Sequence, residues 1–205
     1  MRLLDKETLR KSLESDDSES LFLEPLLEDS QIGNVTIDLR LGYDFLVSVL
    51  TRKPLISVAD EPSQRRGIAS YFQETRRELG ERFVLYPGQL VISTTLEYLS
   101  LPSNYYVDVL SRSSYTRLGI HMNTMVQPGF RGCVPLELFN HGNNAIELVV
   151  GSRVCQARLF QLDSEGKYTD ESPKRKYYGD VRPTVSKADI DPELSRLSKI
   201  VNSTP

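Results

Sequence analysis

The stretch that decides the fold runs from residue 111 to residue 137 and reads SRSSYTRLGIHMNTMVQPGFRGCVPLE. It opens with a cluster of arginine and serine directly after a strand-like run, and it contains a Pro128-Gly129 turn signal. It closes on an apolar run that carries a single acid, Glu137. The stretch therefore predicts strands joined through polar segments, with the chemistry of the protein placed where the strands end.

The cluster at the start of this stretch consists of Arg112, Ser113, Ser114 and Arg117. A guanidinium group presents paired donors to phosphate oxygens, and serine hydroxyls add short ones. The cluster is therefore a candidate phosphate site. An ordinary surface turn has the same composition, and the residues alone leave that alternative open.

Glu137 is the candidate for proton chemistry beside the phosphate site. A lone glutamate in a strand usually lies on the solvent face of an alternating pattern. Here, alternation puts Glu137 on one face with Cys133, Pro135 and Phe139, which is not a plainly solvated set. A carboxylate in such surroundings is costly to bury in its charged form and suits general acid–base catalysis. We therefore expect Glu137 to line a cavity.

The whole chain has 205 residues, which suits one domain or one domain with an extension. Its net charge of −3 gives no basic field of the kind that nucleic-acid binders use, so we expect no nucleic-acid partner. The charged N-terminus does not resemble a signal peptide, and no apolar run approaches the roughly 18 residues of a membrane span. These features predict a cytoplasmic protein that does not enter a membrane. The two cysteines, Cys133 and Cys155, are expected as buried free thiols.

Short strand-like runs separated by glycine, proline and asparagine extend over residues 1–161 and predict an all-β barrel or jelly roll. Within this domain, residues 51–82 carry much charge and are expected to form a long irregular insertion, with a helical turn between Gln73 and Arg82. Residues 162–205 form a charged tail that we expect to be flexible and to contain a short helix over residues 191–201.

The residues exclude several kinds of nucleotide chemistry. A zinc-dependent nucleobase deaminase needs a set of His and Cys ligands in an H-x-E and P-C-x-x-C arrangement. The chain has two histidines, two cysteines and no C-x-x-C, which rules out that mechanism. It also lacks the glycine patterns of P-loop and dinucleotide-binding proteins.

Five groups of segments carry a resemblance to a known family. They are Ile37-Asp38-Leu39-Arg40-Leu41-Gly42 with Phe45; Phe83-Val84-Leu85-Tyr86-Pro87-Gly88 with Thr95-Leu96-Glu97 and Leu101-Pro102; Arg112-Ser113-Ser114 with Arg117-Leu118-Gly119; Pro128-Gly129-Phe130 with Gly132, Leu136-Glu137 and Asn140; and Lys176-Tyr177 with Gly179 and Pro183. Each segment is weak alone, but their order and spacing together are specific. Over nearly its whole length the chain resembles the dCTP deaminases, whose superfamily also contains the trimeric dUTPases.

The resemblance implies a dUTPase-like distorted β-barrel or jelly roll with short helices and a C-terminal lid, assembled as a homotrimer with active sites at the subunit interfaces. It implies hydrolytic deamination of dCTP to dUTP and ammonia without a catalytic metal, with Mg²⁺ bound to the triphosphate. Glu137 would be the general base, Ser113 would hold the water or a phosphate, and Arg117 would hold Glu137 and stabilise developing charge. The substrate-binding positions that the resemblance implies are Arg112, Ser114, Gln127, Tyr168, Lys176 and Asp180.

Three places depart from the family pattern. Gln127 stands where the family has an aspartate that approaches the sugar hydroxyl, and a glutamine can hydrogen-bond but cannot act as a base. Asp180 replaces a glutamine of the tail motif, and the segment Asn123-Thr124-Met125 alters the base pocket. Three functions stay open: a dCTP deaminase, which is the leading prediction; a dUTPase or a bifunctional dUMP-forming deaminase; and a nucleotide-binding regulator without turnover.

Overall fold

The structure is a computed structural model that describes residues 1–15, 17, 19–52, 55–56, 58, 67–166 and 176–202. Antiparallel strands are its main secondary structure. In chain order the strands are β1 (Arg2–Leu3), β2 (Phe22–Glu24), β3 (Ile37–Arg40), β4 (Asp44–Ser48), β5 (Phe72–Arg76), β6 (Arg82–Leu85), β7 (Leu90–Ser100), β8 (Tyr105–Ser111), β9 (Ile120–His121), β10 (Asn123–Val126), β11 (Arg131–Asn140), β12 (Ile146–Val149) and β13 (Arg153–Gln161). The α-helices are α1 (Lys6–Leu13), α2 (Ser113–Thr116) and α3 (Pro192–Asn202).

One sheet is built around the pairing of β8 with β13. β10 pairs with the other edge of β8, and β1 and β3 pair with β13. Alternate residues of β8, namely Tyr105, Val107 and Val109, are buried, as expected for a strand with one face on the core. Because β8 ends at Ser111, it delivers the arginine–serine cluster at the end of this sheet.

The second sheet has the strand order β5-β4-β7-β11-β9, and β2 pairs with β7. β7 and β11 pair over most of their lengths, with a register shift between Cys133 and Pro135. A proline has no N–H to give to the ladder, so this is a natural point for an irregularity. The irregularity precedes Glu137 on the same strand and therefore affects the direction of its side chain.

The two sheets share one core and one close backbone contact. The Gly42 N–H donates to the Thr94 carbonyl at 2.9 Å, and a Cβ atom at residue 42 would lie 2.7 Å from that oxygen. A side chain does not fit at this distance, so the approach requires glycine. The contact ties the segment that follows β3 in the first sheet to the middle of β7 in the second.

The predicted all-β class is confirmed. Within the described residues, the strands form a five-stranded sheet, a six-stranded sheet and a two-stranded ribbon of β6 and β12, which do not close into a barrel. The helices are short, as expected, and the predicted helix near the C-terminus is present as α3. The fold is therefore an open, two-sheet form of the predicted architecture.

The helical turn predicted between Gln73 and Arg82 is wrong. Phe72–Arg76 is the strand β5, which pairs with β4 at the edge of the second sheet. An edge strand with a solvated face tolerates charged side chains, so the charge of this segment concealed a strand. The predicted irregular insertion at residues 51–82 is thus partly regular, and its residues 53–54, 57 and 59–66 lie outside the described residues.

Two simpler expectations concern thiols and membranes. Cys155 is buried, Cys133 is half-buried, and both are free. In the ranges that the structure describes, no helix is long and apolar enough to cross a membrane.

Candidate active site

The predicted phosphate cluster lies where β8 passes into α2. Ser113 and Arg117, one helical turn apart, line a cavity of about 360 Å³. The other lining residues are Thr36, Leu110, Ser111, Thr116, Gln156 and Arg158. The lining thus combines four hydroxyl groups with two guanidinium groups, which is a suitable set of donors for phosphate oxygens. Sequence reasoning identified two of these residues and missed Gln156 and Arg158, which come from β13.

Asp38 organises the region behind this cavity. Its Oδ2 atom lies 3.6 Å from Arg112 Nη2 and 3.5 Å from Arg153 Nη1, and its Oδ1 accepts a hydrogen bond from Gln156 Nε2 at 2.9 Å. The Arg112 Nη1 group also donates to the Arg153 carbonyl at 3.2 Å. Arg112 is therefore held in place beside the cavity rather than free in solvent, although it does not line the cavity. Ser114 is exposed and lies outside the lining.

A fully buried carboxyl group, Glu97, lies at the inner end of the same polar network. It accepts hydrogen bonds from the Arg40 backbone N–H at 2.9 Å and from Gln31 Nε2 at 3.0 Å. Arg40 in turn pairs with Glu28 at 3.1 Å, and Glu28 pairs with Arg153. Burial raises the pKa of Glu97 to about 7, although its hydrogen bonds and the Arg40 charge favour the ionised form. Among the described carboxyl groups, Glu97 is the one whose pKa lies far from its usual value.

The inward direction of Glu97 was available from the sequence. Val91, Ser93, Thr95 and Leu99 alternate along β7 and are buried, and Glu97 has the same parity. In the sequence, Glu97 stands out only as part of the family-like segment Thr95-Leu96-Glu97. It is a structural acid at the centre of the fold, and the catalytic candidate Glu137 lies on the neighbouring strand β11.

Glu137 is exposed in this single chain. Its Oε2 atom accepts a hydrogen bond from Thr124 Oγ1 at 2.7 Å, and the same hydroxyl lies 3.2 Å from the Pro135 carbonyl. Thr124 belongs to β10, in the first sheet, whereas Glu137 belongs to β11, in the second. Glu137 thus lies exposed on β11, and within the described residues its carboxylate has one fixed contact.

The structure does not bring the three predicted catalytic residues into one cavity of a single chain. Glu137 is not among the residues that line the cavity of Ser113 and Arg117. Within the described residues, no hydrogen bond or ion pair joins Glu137 to either of them. The candidate acid and the candidate phosphate cavity are therefore separate features of the single chain.

The tail returns to the second sheet. The Gly179 N–H donates to the Arg131 carbonyl at 2.7 Å, and the Cys133 N–H donates to the Asp180 carbonyl at 2.9 Å. The tail thus occupies the edge of β11 four residues before Glu137, which is roughly 14 Å away along the strand. This part of the predicted flexible tail is held by backbone hydrogen bonds to β11.

The predicted phosphate ligands of the tail have partners within the tail itself. Lys176 Nζ lies 2.7 Å from Asp191 Oδ1, and Lys187 Nζ lies 3.5 Å from Asp180 Oδ2. Thr184 Oγ1 also donates to Asp180 Oδ2 at 3.1 Å. In this arrangement Lys176 is engaged by an acid, so an incoming phosphate has to replace that partner. The predicted ligand Tyr168 lies outside the described residues.

Gln127 lies in the turn that follows β10, where its carbonyl accepts the Phe130 N–H at 3.2 Å. Its side chain is half-buried. Across the ranges that the structure describes, there is no group of three or more His, Cys, Asp or Glu side chains arranged to hold a metal ion. Metal-free chemistry at this site stays a prediction.

Comparison with known proteins identifies relatives over the whole chain. A family model described as "dCTP deaminase-like" matches residues 3–162. A protein of Methanobrevibacter smithii named "dCTP deaminase, dUMP-forming" is 32% identical over 201 residues, covering 96% of this chain and 100% of the relative. A protein of Halorubrum lacusprofundi named "dCTP deaminase" is 36% identical over 200 residues, covering 95% of this chain and 94% of the relative.

A solved structure supports the fold. The crystal structure of 2′-deoxycytidine 5′-triphosphate deaminase from Agrobacterium tumefaciens superimposes with a TM-score of 0.58 at 24% identity, covering 77% of this chain. The match covers 48% of that longer protein, so this chain spans about half its length. These comparisons confirm the resemblance, the dUTPase-like all-β fold and the prediction of an enzyme of the dCTP deaminase type. The chain belongs to the dCTP deaminase-like family.

Proposed function

We propose that the protein hydrolytically deaminates dCTP to dUTP and ammonia. The single observation that carries this proposal is the combination of a phosphate-type cavity at Ser113 and Arg117 with one acid, Glu137, whose carboxylate is held by a hydroxyl. The names of the relatives, of which several are dCTP deaminases, supply the substrate. Mg²⁺ enters with the substrate, because a triphosphate at neutral pH carries the cation with it.

The proposed chemistry needs one base and one anchored water. Glu137 takes a proton from the water as its oxygen bonds to C4 of cytosine, and it passes that proton towards the amino group. The C4–N bond to the amino group then breaks, ammonia leaves, and the second proton of the water moves from the C4 hydroxyl to N3, which gives the C4 carbonyl of the uracil base. Ser113 holds the water or a phosphate oxygen, and Arg117 stabilises the charge that develops around the reacting carbon. Arg112, fixed by Asp38, adds a positive charge beside the phosphates.

The separation of Glu137 from the Ser113–Arg117 cavity in the single chain supports assembly as a homotrimer. Glu137 is exposed in one chain, yet Cys133, Pro135 and Phe139, on the same face, are only half-buried apolar neighbours. A surface of this kind is completed when a second copy covers it, and closed rings are the usual way to complete every copy. In the proposed trimer, Glu137 of one subunit meets the Ser113–Arg117 cavity of the next.

A dUMP-forming deaminase is the second candidate function. The observation that favours it is the name of the Methanobrevibacter smithii relative, "dCTP deaminase, dUMP-forming", which aligns over its full length with 96% of this chain. Gln127 argues against the dUMP-forming activity, because a glutamine cannot serve as the base for hydrolysis of the phosphate chain. The two candidates therefore differ in whether pyrophosphate appears together with ammonia.

The test is to incubate the purified protein with dCTP and Mg²⁺ and to follow ammonia and pyrophosphate separately. The proposal expects ammonia with dUTP, whereas ammonia with pyrophosphate and dUMP would assign the second candidate. Glu137→Gln is the matched variant, and it should lose about a hundred- to ten-thousand-fold in turnover while nucleotide binding is largely kept. Near-normal ammonia release by this variant would remove Glu137 from the role of base. Nucleotide binding without any product would assign the regulator alternative.

A further inference from the structure

The hydrogen bond between Thr124 and Glu137 holds the exposed acid of β11. Thr124 Oγ1 and Glu137 Oε2 are 2.7 Å apart, which is a short distance typical of a hydroxyl that donates to a carboxylate. Among the described residues, Thr124 is the one residue that hydrogen-bonds to the Glu137 carboxylate. The bond also joins the two sheets, because β10 and β11 belong to different ones.

The local backbone explains why the two side chains meet. Thr124 pairs with Val109 of β8, and this pairing fixes the register of β10 within the first sheet. On the other side, the register shift of β11 between Cys133 and Pro135 turns the strand just before Glu137. The Pro135 carbonyl, 3.2 Å from the Thr124 hydroxyl, is a second and more distant acceptor for its single hydrogen, and both acceptors lie on this part of β11.

A free glutamate on a strand surface samples several rotamers, and a base that is misplaced by about 1 Å loses much of its effect. A threonine hydroxyl has one hydrogen to donate. Its donation to Oε2 leaves Oε1 of Glu137 available to accept the proton of a water molecule. The hydrogen bond therefore selects both a rotamer and a reactive oxygen.

We propose that Thr124 is a positioning residue for the reaction, which holds Glu137 so that Oε1 faces the attacking water. This inference rests on the proposed function and deepens it, since it assigns a role in the base machinery to a residue of the segment that departs from the family pattern. Thr124 itself touches neither the water nor the substrate; it acts through the carboxylate. Its contribution belongs to turnover and not to nucleotide affinity.

The experiment compares Thr124→Val with Thr124→Ser. Valine keeps the β-branched shape and the backbone pairing of β10 but removes the hydroxyl, whereas serine restores the hydroxyl. We expect kcat for ammonia release from Mg²⁺–dCTP to fall about tenfold to hundredfold in Thr124→Val, the range expected for losing one hydrogen bond to a charged group. The dissociation constant for dCTP should change by less than about threefold, and Thr124→Ser should recover most of the rate.

Thr75→Val, on the edge strand β5, is the control for a threonine-to-valine change in a strand remote from the proposed site. If Thr124→Val melts at a lower temperature than the unaltered protein, Thr124→Ala provides a second variant without the hydroxyl. Unchanged kcat in Thr124→Val, or equally slow Thr124→Ser and Thr124→Val, would overturn the positioning role. If kcat for ammonia release falls in Glu137→Gln but not in Thr124→Val, this inference alone is overturned. If the unaltered protein releases no ammonia from dCTP, the proposed function is overturned as well.

Discussion

Replacement of the buried acid by its amide, Glu97→Gln, should change how the stability of the protein depends on pH. Glu97 is fully buried, and its pKa is raised from 4.5 to about 7 chiefly by burial. Because the pKa in the folded state lies above the unfolded value, the folded protein binds more protons between these two limits. The favourable contribution of this group is fully present below pH 4.5 and is lost as the pH rises through 7.

The magnitude follows from the shift. One pKa unit corresponds to 1.36 kcal/mol, so a shift from 4.5 to about 7 removes about 3 kcal/mol of stability across the window. Glutamine cannot titrate, and its carbonyl oxygen can still accept from the Arg40 N–H or from Gln31 Nε2. The variant should therefore gain stability relative to the unaltered protein as the pH rises, by about 3 kcal/mol over the whole range.

The assay is urea unfolding of both proteins at fixed protein concentration, at intervals from pH 4.5 to pH 8.5. A fixed concentration is needed because assembly contributes to apparent stability. Glu74→Gln, which removes an exposed acid from β5, is the matched control. If the free energy of unfolding of Glu97→Gln depends on pH in the same way as that of the unaltered protein, the reasoning is refuted, because Glu97 then does not change its protonation in this range.

Two further predictions concern assembly and the contact between the sheets. Subunits carrying Glu137→Gln and subunits carrying Arg117→Ala should each be nearly inactive, but co-refolded mixtures should regain about a quarter of the activity if each site takes one residue from each of two subunits. No recovery in mixed trimers, measured as ammonia release, would place both residues in one subunit's site. Gly42→Ala should destabilise the protein by about 1–3 kcal/mol in urea unfolding, because the added Cβ meets the Thr94 carbonyl at 2.7 Å. Gly67→Ala, where a Cβ atom meets nothing within 4 Å, is its control, and equal stability of the two variants would contradict this role of Gly42.

Local patterns in the sequence predicted those parts of the structure that local physics decides. Runs of strand-forming residues between turn signals predicted β7, β8, β11 and β13, and two residues of the arginine–serine cluster, Ser113 and Arg117, line a cavity. The edge strand β5 was missed because Glu74 and Arg76 concealed its period, and an edge position becomes visible only when the neighbouring strand is known.

The candidate site required contacts between residues that are distant in sequence or that lie on different sheets. Alternation gave the parity of Glu137 but not its exposure, which depends on what covers the face of β11. Thr124 and Glu137 are 13 positions apart and meet because β8 and the irregular register of β11 place them together. No propensity of either residue predicts that hydrogen bond, since register between strands is a property of the whole sheet.

The backbone pairing of the tail with β11 also bears on how this protein can be shortened. A chain that stopped at Gln161 would keep every strand but would leave the Cys133 N–H and the Arg131 carbonyl without their partners from residues 179–180. Unpaired groups on a strand edge recruit other strands, so such a fragment would tend to aggregate. The backbone of the tail thus covers part of the edge of β11, and a shortened chain would need a charged residue or a proline at that edge to replace this cover.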